Sequence, residues 1–576
     1  VVSTPAADLS SFVGVTRHRC FETPEVAPFS FLSGAEQNQI MTYRQLDRSA
    51  RSLGAWLQKR GFEGDRVLVM YPSGPAFIKA IFGCFYAGAV PVPVYPPHLA
   101  LVSRTFPRLL AIIKDATPRI AFAPPEFTTA LARLGGGSEQ IQSSIWTQLP
   151  DDSDNLADEW RSTHIMPSDI ALLQYTSGST AAPKGVMVTH ANLLDNAKRI
   201  QDAFGIRQQV RGVSWLPPFH DMGLIGGVFQ PVYSGFSVHL MSPLTFLQRP
   251  LRWLQAISIL GASISGGPNF AYELCVQKIS DENKKSLDLS CWKVAFNGSE
   301  PVQSRSLERF AEAFRECGFR SDSFRPCYGL AEATLMVSAA RESSPVRLLS
   351  LDRGSLEANR VVCADETHSR DLCTVVSCGR ADEDVVIVSP ESLTACPDGK
   401  IGEIWFAGGS VAKGYWNRPA ETQHTFDAYR ADNGDGPFLR TGDLGFKWRG
   451  ELFVTGRLKD LIIIAGRNHY PHDIEMTVEQ SHASIRPGCC VAFSIAVDGE
   501  ERLIVAAELH RKPPDETERR EITRTILRDV SEVHGLQVHS VALLKSGRIP
   551  KTSSGKTQRL ECRRAFTRGE LTMVGD

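Results

Sequence analysis

Apolar and polar positions alternate along the first third of the chain in two periods. Over Tyr43–Arg60, Leu46, Ala50, Leu53 and Leu57 recur at helical spacing until Gly61 ends the run, and Arg66–Tyr71 then reads as a buried strand. Pro75–Ala87 repeats the helix and Val90–Tyr95 the strand, broken by prolines. Thr105–Ala116 is a helix with Pro107 in its first turn, and Arg119–Ala123 is another strand. Such alternation predicts parallel sheets with helices on their faces, an α/β protein. Leu134–Asp158, rich in Gly, Ser, Gln and Asp, reads as a surface excursion before Ser168–Gln174 returns to the core.

Length and charge narrow the picture. At 576 residues the chain is too long for one ordinary core. Lys plus Arg (63) nearly cancels Asp plus Glu (64), which gives no electrostatic case for nucleic acid or an acidic membrane. The 13 cysteines include no C-x-x-C pair, so neither a zinc ribbon nor a disulfide framework is visible, and reduced thiols in a cytoplasmic protein are expected. No run approaches 18 apolar residues, so no integral membrane segment is expected and the protein is read as soluble.

The densest chemistry lies in Tyr175–Val186, Y-T-S-G-S-T-A-A-P-K-G-V. Thr176, Ser177, Ser179 and Thr180 surround Gly178, and Pro183-Lys184-Gly185 follows, so amides, hydroxyls and an ammonium can converge on a phosphate. It is not a Walker A loop, because Pro183 and Gly185 stand where a glycine and a Ser or Thr are required. The flanks read as a strand (Ile170–Gln174) and a helix (Ala191–Phe204); a plain polar loop is the alternative. Further on, His220 and Asp221 follow Trp215-Leu-Pro-Pro-Phe. Neighbours in a strand face opposite ways, which argues against a direct relay, and Asp221 as a helix N-cap is the competing reading.

Several strand ends carry glycines: Gly266-Gly267-Pro268-Asn269-Phe270, Asn297-Gly298-Ser299-Glu300, and Cys327-Tyr328-Gly329-Leu330-Ala331-Glu332. Ligands of open α/β sheets sit at such ends, so one shared crevice is predicted. Glu332 suits a hard cation beside phosphates, or a solvated helix start. Asp443, in Arg440-Thr-Gly-Asp-Leu-Gly445, reads as a carboxylate in a tight turn, suited to two vicinal hydroxyls or to the turn itself. Gly456-Arg457-Leu458-Lys459-Asp460 precedes a buried strand at Leu461–Ile464. Gly547–Lys556 is a flexible basic loop whose last lysine can reach a phosphate as a mobile charge.

In this order the segments resemble the adenylate-forming superfamily of acyl-CoA synthetases, luciferases and peptide-synthetase adenylation domains, from about Thr42 to Thr567. P-F-H-D-M-G-L-I-G-G (218–227), Y-G-L-A-E-A-T (328–334) and G-R-N-H-Y-P (466–471) look most like the fatty acyl-AMP ligases. An extra segment between Ser338 and Arg380 strengthens that likeness. Within it, Val346–Leu351 and Thr374–Ser377 are expected to pair as strands around a polar excursion; a plain surface hairpin is the alternative. In that family the insertion is held to hinder the rearrangement needed to use coenzyme A.

The resemblance implies a large adenylation region over 1–457 and a small mobile α/β domain over 458–576, hinged at Asp460. It implies that Thr176, Ser177, Gly178, Ser179, Thr180, Ala181 and Lys184 wrap the ATP phosphates, with Ala181 replacing the family's usual glycine. Gly298, Ser299, Glu300, Cys327, Tyr328, Gly329 and Ala331 would border the nucleotide, Glu332 would hold Mg²⁺, and Asp443 and Arg457 would meet the ribose. Lys556 would close over the carboxylate and α-phosphate, with Glu332, His220 and Thr176 completing the catalytic set. His220, Met222, Gly223, Pro268, Asn269 and Tyr272 would line the acyl site. The implied activity is ATP-dependent conversion of a medium- or long-chain fatty acid to acyl-adenylate, then transfer to a phosphopantetheinylated acyl carrier protein. A fatty acyl-CoA synthetase, an amino-acid adenylation domain and a degenerate nucleotide- or lipid-binding module are the alternatives.

Overall fold

The computed structural model describes residues 9–32, 39–96, 102–134, 144–150, 156–176, 183–206, 210–341, 345–364, 372–464, 466–497, 500–510, 514–552 and 555–574. Strands and helices alternate as the periodicity predicts, and the chain is a mixed α/β protein with a large N-terminal and a smaller C-terminal part.

The widest sheet runs in the order Met336–Ala339, Phe324–Gly329, Val294–Asn297, Ile264–Gly266, Arg211–Ser214, Ser237–Met241, Phe29–Leu32 and Gln39–Met41. Its six inner strands are parallel and the two edge strands antiparallel. A second, all-parallel sheet is built from Val90–Pro93, Arg66–Val69, Ile120–Phe122 and Ile145–Thr147. Helices pack on these sheets by the stripes read above: Leu46, Ala50, Leu53 and Leu57 are all fully buried, each contributing about 1.5–3 kcal/mol where the side chain is large and apolar. One aromatic cluster joins Phe12, Phe82, Phe85 and Phe229; another joins Trp253, Tyr272, Trp292, Phe310 and Phe324.

Four expectations need correction. Lys184–Thr189, read in part as the phosphate loop, is a strand paired antiparallel with Ile170–Thr176, and the helix expected from Ala191 starts one residue earlier, at His190. Its short V-M-V-T run has the β-branched character of a strand. The helix expected from Thr105 begins at Val102, so Pro107 falls inside it. The polar excursion contains Ile145–Thr147, which adds an edge strand to the second sheet. Ile462–Ile464 is only half-buried, with Ile463 facing solvent.

The extra segment forms the expected pair, Leu348–Asp352 against Leu372–Arg380, with Ser350 opposite Thr374. It is more than a surface hairpin, because Leu372–Arg380 continues into a six-stranded antiparallel sheet beside Glu451–Arg457. Its short helix Arg353–Glu357 touches the C-terminal part. Glu357 lies 3.0 Å from His469, and Asn468 donates to Asn359 at 3.1 Å. That C-terminal part has its own sheet, Ile485–Val497, Glu500–Leu509 and Val538–Leu544, with helices on both faces and separate apolar clusters around Ile474 and Ile522 and around Val491 and Cys562.

Candidate active site

The glycine-bearing strand ends do converge. A cavity of about 1390 Å³ opens at the carboxyl ends of the parallel strands of the wide sheet, walled also by the six-stranded sheet and the C-terminal part. On its wall stand Thr176, Lys184, His220, Met222, Pro268, Asn269, Ser299, Glu300, Cys327, Tyr328, Gly329, Ala331, Glu332, Asp443, Arg457, Asp460 and Lys556. Ser177, Gly178, Ser179, Thr180 and Ala181 lie outside the described residues.

Three expected site residues are not on that wall. Tyr272 turns into the aromatic core, its hydroxyl donating to the Phe296 carbonyl at 2.8 Å. Gly223 and Gly298 serve close packing: a Cβ at Gly223 would lie 2.0 Å from the Pro217 carbonyl oxygen, and one at Gly298 2.7 Å from Cys327 Sγ.

His220 and Asp221 meet despite being neighbours, with Nδ1 to Oδ1 at 2.6 Å. The backbone at Asp221 is helical (φ −48°, ψ −51°), which turns successive side chains by about 100° rather than 180°. This overturns the expectation that the two side chains face apart, while Asp221 also accepts from the Met222 amide at the start of the following helix, as the N-cap reading expects. Burial pushes the Asp221 carboxyl up, but His220 and Lys556 outweigh it and bring it down to about 2. Lys556 itself is held below the usual lysine range by burial, against the opposing pull of Asp221 and Glu300. Burial pushes Glu300 up, while Lys556 and the Asn269 and Phe270 amides oppose it.

Asp443 sits in a strand, Leu439–Trp448, and not in a tight turn. Gly442 at φ +70° precedes it, and the pairing shifts register just beyond. The carboxylate is buried and both oxygens are engaged, Oδ2 by the Tyr328 hydroxyl at 2.8 Å and Oδ1 by Arg457 Nε at 3.0 Å. Cys327 donates to the Asn297 carbonyl at 3.3 Å, and burial pushes its thiol up to about 12. Cys378, also on the wall, is shifted the same way. Asp460 accepts from Arg559 at 3.0 Å, and Arg559 also binds Glu475.

Residues not singled out from the sequence complete the wall. Arg108 donates to the Thr176 carbonyl at 3.2 Å and supplies a cation beside the loop, kept below the usual arginine range by burial. Tyr415 donates to Glu332 Oε1 at 2.8 Å, and Lys184 lies over its ring at 4.7 Å while ion-pairing with Glu421. Apolar wall is supplied by Ile200, Phe204, Gly226, Phe296, Leu335 and Met336. A space this size, polar and cationic on one side and apolar on another, suits an anionic headgroup joined to an aliphatic chain. Among the described residues no group of three His, Cys, Asp or Glu could cage a metal, and no helix is long and apolar enough to cross a membrane.

A family profile described as AMP-binding enzyme matches residues 17–416, and one described as Disco-interacting protein 2-like, AMP domain, matches 459–575. The chain is 43% identical to the medium-chain-fatty-acid–[acyl-carrier-protein] ligase JamA of Moorena producens, over 98% of this chain and 96% of that protein. It is 37% identical to the 4-hydroxyphenylalkanoate adenylyltransferase of Mycobacterium marinum, over 93% and 87%. The solved fatty acyl-adenylate ligase from L. pneumophila, in complex with acyl adenylate and pyrophosphate, superposes with a TM-score of 0.76 at 40% identity, covering 99% of this chain and 98% of that one.

Proposed function

The chain belongs to the AMP-binding enzyme family, and from that premise we propose that it activates a medium- or long-chain fatty acid. ATP is converted to acyl-adenylate and pyrophosphate, and the acyl group then passes to the phosphopantetheine thiol of an acyl carrier protein. The observation that carries this reading is the sharing of one cavity by Lys184, Glu332, Asp443, Lys556 and a stretch of apolar wall. Its similarity to an acyl-carrier-protein ligase over nearly the whole chain supports the choice of acceptor.

Joining a carboxylate to a phosphate brings two anions together, so the site needs cations more than it needs a base. Lys184, Thr176 and the residues 177–181 are assigned to the ATP phosphates, Asp443 takes the ribose hydroxyls, and Arg457 meets the ribose and phosphate. Lys556 reaches the carboxylate and α-phosphate as the acid's oxygen attacks phosphorus in line and pyrophosphate leaves. Glu332 fits a Mg²⁺ bound by one carboxylate plus substrate oxygens: it presents a hard donor on the cavity wall beside Lys184. Bound there, such an ion would supply charge neutralisation to the phosphate oxygens. No protein nucleophile enters. With Nδ1 held by Asp221, His220 has Nε2 left for the carboxylate end of the acyl chain.

We assign residues 1–457 to substrate binding and 458–576 to a closing domain that turns about Asp460 before the thiol arrives. The inserted strand pair, tied to both parts, is assigned the restraint that disfavours coenzyme A. The test incubates the protein with ATP, Mg²⁺ and mixed fatty acids, divided between coenzyme A and a holo acyl carrier protein, with products read by mass spectrometry. Acyl-adenylate persisting in the first tube and acylated carrier in the second is the expected result. Efficient acyl-CoA formation would make the chain a synthetase instead, and fatty acid binding without pyrophosphate release would reduce it to a binding module.

A further inference from the structure

The segment 410–422 fastens two parts of the cavity that are far apart in sequence. It is joined to the phosphate hairpin by an isolated antiparallel bridge, Val186 opposite Tyr415: the Met187 amide donates to the Gly414 carbonyl at 2.9 Å, the Lys413 amide donates back to the Met187 carbonyl at 2.9 Å, and the Trp416 amide donates to the Gly185 carbonyl at 2.8 Å. The same segment grips the turn that carries Glu332. The Ala412 amide donates to the Glu332 carbonyl at 2.9 Å, and Thr334, buried at φ +66°, donates its hydroxyl to the Ser410 carbonyl at 2.7 Å.

Between these anchors stands Tyr415. Its amide donates to Thr422 Oγ1 at 2.9 Å, and its ring packs edge-on against Phe426 at 5.1 Å, so the side chain has little freedom. The hydroxyl donates to Glu332 Oε1 at 2.8 Å, and the Lys184 ammonium lies over the ring at 4.7 Å. Burial and the adjacent Glu332 raise the phenol well above its ordinary range, so it remains a donor at any working pH. One aromatic side chain therefore touches both the loop's ammonium and the carboxylate assigned to the cation. The hydrogen bond fixes the rotation of that carboxylate and leaves Oε2 for a ligand.

We propose that Tyr415 is a positioning residue that sets the spacing and orientation of Glu332 relative to Lys184, so that both meet the same polyphosphate. This rests on the functional reading above. Tyr415→Phe keeps the ring, its packing and its cation contact, and removes only the donor. The Mg²⁺ concentration giving half-maximal pyrophosphate release should rise about 10–100-fold, the usual effect of losing a partner behind a metal ligand, and excess Mg²⁺ should restore most of the rate. A readout apart from turnover is the binding of α,β-methylene-ATP with and without Mg²⁺. The tightening that Mg²⁺ gives the wild type should shrink about tenfold or more in the variant.

Glu332→Asp, which withdraws the carboxylate by one methylene without touching the ring, should weaken the Mg²⁺ effect similarly. Combining the two should cost no more than the worse single change, because they act on one contact. An unaltered Mg²⁺ requirement in Y415F, or fully additive losses in the pair, would overturn the proposal. If the wild type itself forms no acyl-adenylate, the functional reading has failed instead.

Discussion

At the scale of single residues, the site is governed by where charge is left uncompensated. Lys556 is drawn below its ordinary range by burial, against the pull of Asp221 and Glu300, and on the proposed reading it is the charge that meets the two reacting anions. Lys556→Ala should lower pyrophosphate release about 100-fold or more while sparing ATP binding, the size of loss seen when one stabilising donor is removed; equilibrium binding and single-turnover release separate the two. Asp443 tells a different story, since its oxygens already accept from Tyr328 and Arg457 and only their remaining lone pairs face the cavity. Asp443→Ala should raise the KM for ATP about 10–100-fold and that for fatty acid far less, in line with the loss of hydrogen bonds to a charged group. Initial rates over both substrates decide this, and an unaltered ATP dependence would remove the ribose role.

Among the elements, the extra strand pair and the phosphate hairpin show what pattern reading can and cannot deliver. Val346–Leu351 and Thr374–Ser377 were legible because apolar runs flank a polar excursion, and the observed register puts Ser350 opposite Thr374. The continuation of that pair into the six-stranded sheet was not legible, since pairing with Glu451–Arg457 is a contact across more than 70 residues of sequence. The start of Lys184–Thr189 was read as loop because it falls in Pro-Lys-Gly turn chemistry, though its partner strand decides its conformation. Asp443 looked like a turn for the same local reason: Thr-Gly-Asp is turn chemistry until a sheet on both sides claims it. Tyr415 had no local signal at all, because its contacts with Glu332, 83 positions away, and with Lys184 are made only in the folded chain. Removing part of 353–371 should leave adenylate formation measurable and admit coenzyme A as an acceptor. A folded deletion variant that never yields acyl-CoA would show that the insertion alone is not the filter.

For the whole molecule, the charge balance that argues against nucleic acid also hides a titration within the folded chain. His190, which accepts from the Phe12 amide at 3.4 Å and packs edge-on against Phe85, is pushed down to about 4 by burial. His534, 2.8 Å from the Thr477 hydroxyl in the C-terminal part, is also pushed down to about 4, by burial and Arg353. Both fall below the unfolded value, so the unfolded chain takes up protons between about pH 6.5 and 4 that the folded chain refuses. Their contribution to stability is thus fully present above 6.5 and is lost as pH falls towards 4, by up to about 3 kcal/mol per site, outweighing Glu479, which burial pushes up to about 7 and which acts in the opposite direction. Urea denaturation at pH 7.5 and 5 should show the loss. His190→Gln should reduce it in the large N-terminal part alone, and a flat stability profile across that window would contradict the burial argument.

Two of the four cysteines on the cavity wall, Cys327 and Cys378, acquire a further meaning from the product made beside them. An acyl-adenylate is a mixed anhydride, a reagent that acylates any thiolate within reach. Burial that lifts Cys327 to about 12 leaves about three orders of magnitude fewer thiolates there than an ordinary cysteine would present at neutral pH. Cys378 is shielded in the same direction. The same desolvation that strengthens the charges of the site thus lowers the thiolate fraction available to compete with an incoming thiol for the activated chain.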